Sequence, residues 1–79
     1  MNMKEVNSTQ IHSIGHDPAT GTLAIRFHGK NGPGSLYHYP NFTAEQFKAF
    51  SECDSKGKYF GANIRGNKDH PHRRIDEPV

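Results

Sequence analysis

The segment Leu36-Tyr37-His38-Tyr39-Pro40 predicts a β-strand that ends just before a helix begins. Two of the three tyrosines of the chain lie in it, two residues apart. Side chains two apart in a strand lie on the same face of the sheet. Pro40 has no N–H to donate, so strand pairing should stop there. The two tyrosine rings therefore either cover a small core or form an exposed stacking platform, and we favour the core, with His38 facing solvent.

Two further strands are predicted before this segment. Residues 22–28 alternate in the way typical of a half-buried strand. Its apolar face consists of Leu23, Ile25 and Phe27. Ile11 to His16 predicts a shorter strand, and Asp17-Pro18-Ala19-Thr20-Gly21 has the composition of a turn. Gly29 to Gly34 is rich in glycine, which predicts a mobile hairpin loop, so the strand with the two tyrosines should begin at Ser35.

Two short helices are predicted in the second half of the chain. Thr43 and Gln46 are three residues apart and form a capping-box pattern, which predicts a helix over residues 44–53. Ser55 is a second N-cap candidate, and it precedes a helical segment over residues 56–65. That second helix contains two glycines and therefore depends on packing.

The fold class expected from these elements is a small α+β domain. It consists of a three-stranded antiparallel meander packed by two short helices, with a flexible basic C-terminal tail. We expect residues 1–5 to be a flexible N-terminus, residues 6–66 to form the domain, and residues 67–79 to be a disordered basic tail, because the tail has two prolines and no apolar period. The 79 residues contain no apolar run long enough to span a bilayer and no signal-peptide pattern, so we expect a cytoplasmic protein.

The charge of the chain is small in total and uneven in distribution. The formal net charge is only +2. Between Ser55 and Arg74, however, the single acid Asp69 stands against six basic residues: Lys56, Lys58, Arg65, Lys68, Arg73 and Arg74. Such a segment is either a phosphate-binding surface or a solvated, solubilising one.

The order of residues resembles a known family, the KTSC domain. The resemblance rests on four motifs: Val6-x-Ser8-x-x-Ile11-x-x-Ile14-Gly15-x-Asp17, Leu23-x-Ile25-x-Phe27, Tyr37-x-Tyr39 and Ser55-x-Gly57-x-Tyr59-Phe60-x-x-x-Ile64-Arg65. This family occurs alone in bacterial and phage proteins and at the C-terminus of some lysyl-tRNA synthetases. The resemblance implies a domain over about Val6 to Arg65, and the synthetase attachment suggests RNA binding. His16 departs from the family, which usually has tyrosine at this position.

The first functional hypothesis is a binding module for RNA or another nucleic acid. Aromatic rings can stack on bases and cations can neutralise phosphates. The candidate residues are Tyr37, Tyr39, Lys56, Lys58, Arg65, Lys68, Arg73 and Arg74. The second hypothesis is a protein-binding or inhibitory module, of the kind phages encode, which meets its partner through the open sheet face or the tail.

No residue pattern in the sequence predicts catalysis, a cofactor or a small-molecule substrate. Cys53 is the only cysteine, and its combination with the six histidines is too common to indicate a hydrolase. His70 and His72 flank Pro71 beside Asp69, but a closed zinc site needs four well-placed ligands. We therefore expect a protein that is not an enzyme and binds no metal.

Overall fold

The computed structural model describes residues 3–30 and 32–75. They form one antiparallel sheet whose strand order follows the chain, with two short helices between the fourth and fifth strands. The strands are β1 (Lys4–Glu5), β2 (Ile11–Asp17), β3 (Thr22–Gly29), β4 (Gly32–Tyr39) and β5 (Arg73–Ile75), and the helices are α1 (Ala44–Glu52) and α2 (Lys56–Tyr59). A π-helical turn, Phe60–Ile64, continues α2.

The predicted meander is present as β2, β3 and β4. Its first turn forms as its composition predicts, because the Asp17 carboxylate accepts a hydrogen bond from the Ala19 N–H at 3.0 Å. Gly21 closes the turn with a φ of 67°, a conformation that glycine adopts without strain. The α+β class is therefore confirmed, although the sheet has five strands among the described residues rather than three.

The second hairpin is tighter than the glycine-rich sequence suggested. β3 continues to Gly29 and β4 begins at Gly32, so the predicted loop from Gly29 to Gly34 is mostly strand. The glycines allow this close pairing: a Cβ on Gly34 would lie 3.0 Å from the Phe27 carbonyl oxygen. The composition thus reflects close backbone approach rather than a mobile loop.

The core lies on the face of the sheet that the helices cover. In the register of the meander Ile14 pairs with Ile25, and Ile25 pairs with Tyr37, so the three side chains share that face. The helical half of the chain adds further aromatic and aliphatic side chains to it. The buried cluster comprises Ile11, Ile14, Leu23, Ile25, Tyr39, Phe42, Phe50 and Ile64.

Both helix starts form as predicted. The Thr43 side chain accepts from the Gln46 N–H at 3.1 Å, and the Gln46 side chain accepts from the Thr43 N–H at 2.8 Å, which completes a capping box. The Ser55 hydroxyl accepts from the Lys58 N–H at the start of α2. None of the helices in the described part of the chain has the length and apolar character needed to cross a bilayer.

The two outer strands correct the expectation of flexible ends. β1 pairs with β2, within the segment expected to be a flexible N-terminus. β5 pairs with β4 through Arg73, Arg74 and Ile75, within the segment expected to be a disordered tail. Hydrogen bonds and ring contacts, rather than a periodic apolar pattern, hold this segment to the domain. Residues 1–2, 31 and 76–79 lie outside the described residues.

His70 is the main link between the C-terminal segment and the domain. It is only 5% exposed, and its Nδ1 donates a hydrogen bond to the Pro40 carbonyl oxygen at 2.8 Å. Its ring also lies edge-to-face on Phe42, with the centroids 5.2 Å apart. The Asn41 side-chain amide donates to the Asp69 carbonyl oxygen at 3.1 Å. These contacts bring the chain back beside β4, where β5 then pairs.

Candidate nucleic-acid interface

A cleft of about 710 Å³ opens between the β3–β4 hairpin and the end of the π-helical turn. Phenylalanine, tyrosine and histidine rings and one arginine guanidinium dominate its lining. They include Phe27, Tyr37, Tyr39, Phe60, Arg65 and His72, and we call this site the aromatic cleft. Its volume lies in the range of small-molecule pockets, which suits a group about the size of one nucleotide base.

The walls of the aromatic cleft are rings packed edge-to-face. Phe27 lies 5.7 Å from Tyr37 and 5.3 Å from Phe60, measured between ring centroids. Phe60 in turn lies 5.9 Å from Tyr39. Strand alternation places Phe27, Tyr37 and Tyr39 on the core face, and the π-helical turn brings Phe60 to them. Because each ring is held by its neighbours, the cleft is preorganised.

Tyr39 cannot be part of an exposed stacking platform. It is only 3% exposed, so its ring belongs to the core, as we favoured. The alternative, in which Tyr39 stacks on a base, is wrong for this residue. Burial of the hydroxyl, together with the neighbouring Tyr37, raises the pKa of Tyr39 to about 12. Its hydroxyl therefore stays protonated throughout the physiological pH range.

Tyr37 keeps part of its ring accessible. It is half-buried, and its ring packs edge-to-face against the exposed His72 with the centroids 5.7 Å apart. The ring therefore has a supported side and a side that borders the cleft. Of the two predicted tyrosines, Tyr37 is the one that a ligand can reach.

The predicted basic residues fall into separate places. Arg65 is exposed and lines the aromatic cleft. Arg74 pairs with Tyr37 in the β4–β5 register and so belongs to the face of the sheet that carries the cleft. Arg73 pairs with His38 and belongs to the opposite face. Two adjacent arginines that the sequence grouped together are thus divided between the two sides of the sheet.

The remaining three lysines contribute differently. The Lys56 ammonium donates to the Cys53 carbonyl oxygen at 2.8 Å and so caps the end of α1. Lys58 is exposed and borders a separate polar groove, which also includes Asn7 and Ser8. Lys68 is exposed in the turn before His70. Of the three, none lines the aromatic cleft.

The residues considered for metal or thiol chemistry have structural contacts. The Cys53 thiol is half-buried and donates to the Phe50 carbonyl oxygen at 3.0 Å. His70 and His72 contact different rings, Phe42 and Tyr37. Within residues 3–30 and 32–75, no three His, Cys, Asp or Glu side chains come close enough together to hold a metal ion.

Sequence reasoning missed three residues of the cleft. Phe27 was predicted only as part of an apolar strand face and Phe60 only as part of a family motif, although both line the cleft. The position of Phe27 near the end of its strand, beside a glycine-rich hairpin, is a signal that a ring there borders an opening. His72 gave no signal, because its place depends on the docking of the C-terminal segment.

Comparisons with known proteins agree on one family. The family model described as KTSC domain matches residues 7–67. The crystal structure of a KTSC domain protein from Yersinia pestis superimposes with a TM-score of 0.81 at 31% sequence identity, covering 95% of this chain and 97% of that one. Among curated proteins, none matches the chain. The chain therefore belongs to the KTSC domain family.

Proposed function

We propose that this protein is a non-enzymatic binding module for single-stranded RNA. In this proposal one unpaired base enters the aromatic cleft and stacks on Tyr37. The observation that carries it is a preorganised aromatic cleft with a half-buried tyrosine and an arginine, Arg65, in its lining. The occurrence of KTSC domains on some lysyl-tRNA synthetases is consistent with an RNA ligand.

Stacking supplies the affinity for the base. A stack between a base and an aromatic side chain contributes about 1–3 kcal/mol and tolerates any base. The edge-to-face packing of Phe27 on Tyr37 fixes the ring, so little side-chain entropy is lost on binding. The cleft therefore supports binding of an unpaired base rather than a base held in a duplex.

Arginine side chains supply the affinity for the backbone. Arg65 lines the cleft, and Arg74 lies on the same side of the sheet. Lys68 is exposed in the adjoining C-terminal segment. A net charge of only +2 favours a short site with few phosphate contacts. Lys56 is not included, because its ammonium caps α1.

The proposal involves no chemical step. The Tyr39 hydroxyl, with a pKa raised to about 12, is a poor nucleophile at neutral pH. The Cys53 thiol donates to a main-chain carbonyl within the domain and lies outside the cleft lining. Binding alone is therefore the activity that these groups support.

Fluorescence anisotropy with labelled single-stranded RNA, tRNA and duplex DNA tests the proposal. We expect single-stranded RNA to bind best at low salt and to weaken as salt rises. Tyr37→Leu should weaken binding about tenfold, because it removes the stack, whereas Tyr37→Phe should retain it. If no RNA binds even at low salt, the proposal fails.

Arg65→Gln tests the phosphate contact separately. Loss of one such contact should lower the slope of log affinity against log salt by about one. Lys48→Gln is the matched control, because Lys48 is an exposed cation on α1 outside the cleft lining, and its loss should leave the slope unchanged. Equal slopes for the two variants would remove Arg65 from the site.

A further inference from the structure

The face of the sheet opposite the helices carries a second concavity. It is a groove of about 380 Å³ at the beginning of β5. Its lining consists of three cationic or titratable residues and four residues without charge. They are His38, His72 and Arg73, with Thr22, Pro40, Pro71 and Ile75, and we call this site the His38 groove. Neither the RNA proposal nor the family assignment uses it.

His38 and Arg73 are directly opposite each other in the β4–β5 register. Among the described residues, no group forms a hydrogen bond with the His38 ring and no carboxylate pairs with Arg73. Two side chains of like charge at opposed positions destabilise a sheet. Burial of the ring and then the charge of Arg73 hold the pKa of His38 below its usual value.

Within residues 3–30 and 32–75, the other charged groups around the His38 groove do not neutralise it. Arg26 lies on the same face of β3 and donates to the Gly34 carbonyl oxygen at 3.0 Å. Asp17 is the nearest acid of this face by register, but it lies on β2, two strands from His38, and accepts a hydrogen bond from Ala19. The exposed His72 borders the groove without a charge partner in its lining. Among the described residues, an anion entering the groove would therefore meet positive charge that no neighbouring carboxylate compensates.

The walls of the groove indicate which kind of anion fits. Pro40, Pro71 and Ile75 add apolar surface to a lining that also contains the Arg73 guanidinium. A nucleic-acid backbone carries repeated charges and hydrophilic sugars, which would find only this one arginine among the lining residues. A carboxylate next to an aliphatic side chain matches both features. The planar guanidinium of Arg73 can also bind a carboxylate through two parallel hydrogen bonds.

We propose that the His38 groove binds a peptide of a partner protein through a carboxylate that lies beside an aliphatic side chain. A peptide that ends in leucine, isoleucine or valine has this arrangement at its C-terminus. Arg73 holds the carboxylate, His38 adds a second donor, and the prolines and Ile75 contact the aliphatic side chain. This site lies on the face opposite the aromatic cleft and does not depend on RNA binding.

The chemistry of the site sets the direction of its pH dependence. An anion beside His38 binds the protonated ring more tightly than the neutral ring. By linkage, bound ligand must then raise the pKa of His38, and affinity must increase as the pH falls through the histidine range. Arg73 stays charged throughout, so binding weakens at high pH without being abolished.

N-Acetyl-leucine is a suitable probe, because its carboxylate lies next to a leucine side chain. We expect it to shift the NMR signals of the His38 ring and to raise the pKa of His38. N-Acetyl-leucinamide, which has the same side chain without the charge, should do neither at the same concentration. Inorganic phosphate should act more weakly than N-acetyl-leucine. The His12 ring serves as an internal reference, since it lies outside the groove lining.

Variants of Arg73 separate the charge from the fold. Arg73→Gln should weaken N-acetyl-leucine binding about tenfold, because a charge-assisted hydrogen bond is lost. Arg73→Lys keeps the charge without the planar guanidinium, so its affinity for N-acetyl-leucine should lie between those of the wild type and Arg73→Gln. Lys48→Gln removes a positive charge from α1, on the other side of the sheet, and should leave the affinity unchanged. Preserved amide signals of β5 in each variant show that the strand remains paired.

Several results would overturn the proposal. One is a His38 pKa in the wild-type protein that does not respond to N-acetyl-leucine. Another is an equal response to inorganic phosphate, which would point to a nucleic-acid backbone or a free phosphate instead. A third is an Arg73→Gln variant that binds as well as the wild type. None of these results depends on whether RNA binds at the aromatic cleft.

Discussion

Tyr39 combines a core position with a hydroxyl at the edge of a cleft. Its ring packs on Phe60 and is almost fully covered, while the residue also lines the aromatic cleft. Among the described residues, none forms a hydrogen bond with its hydroxyl. Because ionisation would place a charge in this enclosed site, the pKa of Tyr39 is raised from 10.0 to about 12.

The raised pKa predicts a loss of stability in alkali. The folded protein binds the Tyr39 proton more tightly than the unfolded chain does, so this contribution is complete below pH 10 and is lost between pH 10 and about 12. Two pKa units correspond to about 2.7 kcal/mol, and the effect should be smaller than this because solvent at the cleft edge screens the charge. Urea unfolding at pH 9 and pH 11.5 measures it. Tyr39→Phe should remove this part of the pH dependence, and an unchanged slope in that variant would contradict the assignment.

His70 predicts a different kind of stability effect. His70→Ala removes the hydrogen bond to Pro40 and the ring contact with Phe42, so the free energy of unfolding should fall by about 1–3 kcal/mol. Urea denaturation at pH 7.5 checks this. His72→Ala is the matched control, because His72 is exposed and should cost less than 1 kcal/mol. Equal losses in the two variants would show that His70 does not anchor the C-terminal segment.

At the level of elements, β5 is a short strand that depends on what precedes it. Three residues form its pairing with β4, and a ladder of that length is weak alone. The His70 contacts and the Asn41 hydrogen bond to Asp69 bring it into place. The strand therefore should open independently of the core.

Arg73→Pro tests this independence. Arg73 lies opposite His38, and proline there removes a main-chain N–H from the β4–β5 ladder, so the amide protons of Leu36 and His38 should exchange faster. Amides of β3 should keep their protection, because its pairings with β2 and β4 do not involve β5. Arg73→Ala, which retains the main-chain N–H, is the control. Loss of protection throughout the sheet would mean that β5 is part of the global folding unit.

The sequence predicted the elements whose signals are local. The alternation around Ile25, the turn at Asp17 and the capping box at Thr43 each involve residues within a few positions of one another. β5 was missed because its partners in β4 are distant in the chain, and β1 was missed because its two residues, Lys4 and Glu5, are too few to show an alternating pattern. The π-helical turn was missed because the i to i+5 bond from the Arg65 N–H to the Phe60 carbonyl oxygen has no compositional signature.

The candidate site was predicted only in part, because its local patterns are visible in the sequence and its long-range pairing is not. The spacing of Tyr37 and Tyr39 placed both rings on one face. It did not give the exposed fraction of each ring, which is what separates the accessible Tyr37 from the buried Tyr39. The pair Arg73 and Arg74 looked like a single basic cluster until the strand assignment divided it. The face of the sheet to which each arginine belongs is set only by the pairing of β5 with β4.

At the scale of the whole molecule, the sheet separates two surfaces of different chemistry. One side has an aromatic cleft with Arg65, and the other has an apolar groove with His38 and Arg73. RNA affinity and N-acetyl-leucine affinity should therefore respond to different substitutions. Tyr37→Leu should reduce only RNA binding, and Arg73→Gln should reduce mainly N-acetyl-leucine binding. Anisotropy and NMR titrations on both variants measure this, and parallel losses would indicate one continuous site.

The strand order has a practical consequence for attaching labels and fusion partners. Because the order follows the chain, β1 and β5 are the opposite edges of the sheet. Four interstrand spacings of about 4.8 Å separate them, which is roughly 19 Å. A tag after β5 would emerge beside both candidate surfaces, whereas a tag before β1 would emerge at the far edge. Immobilisation and fluorophores for every measurement above therefore belong at the N-terminus.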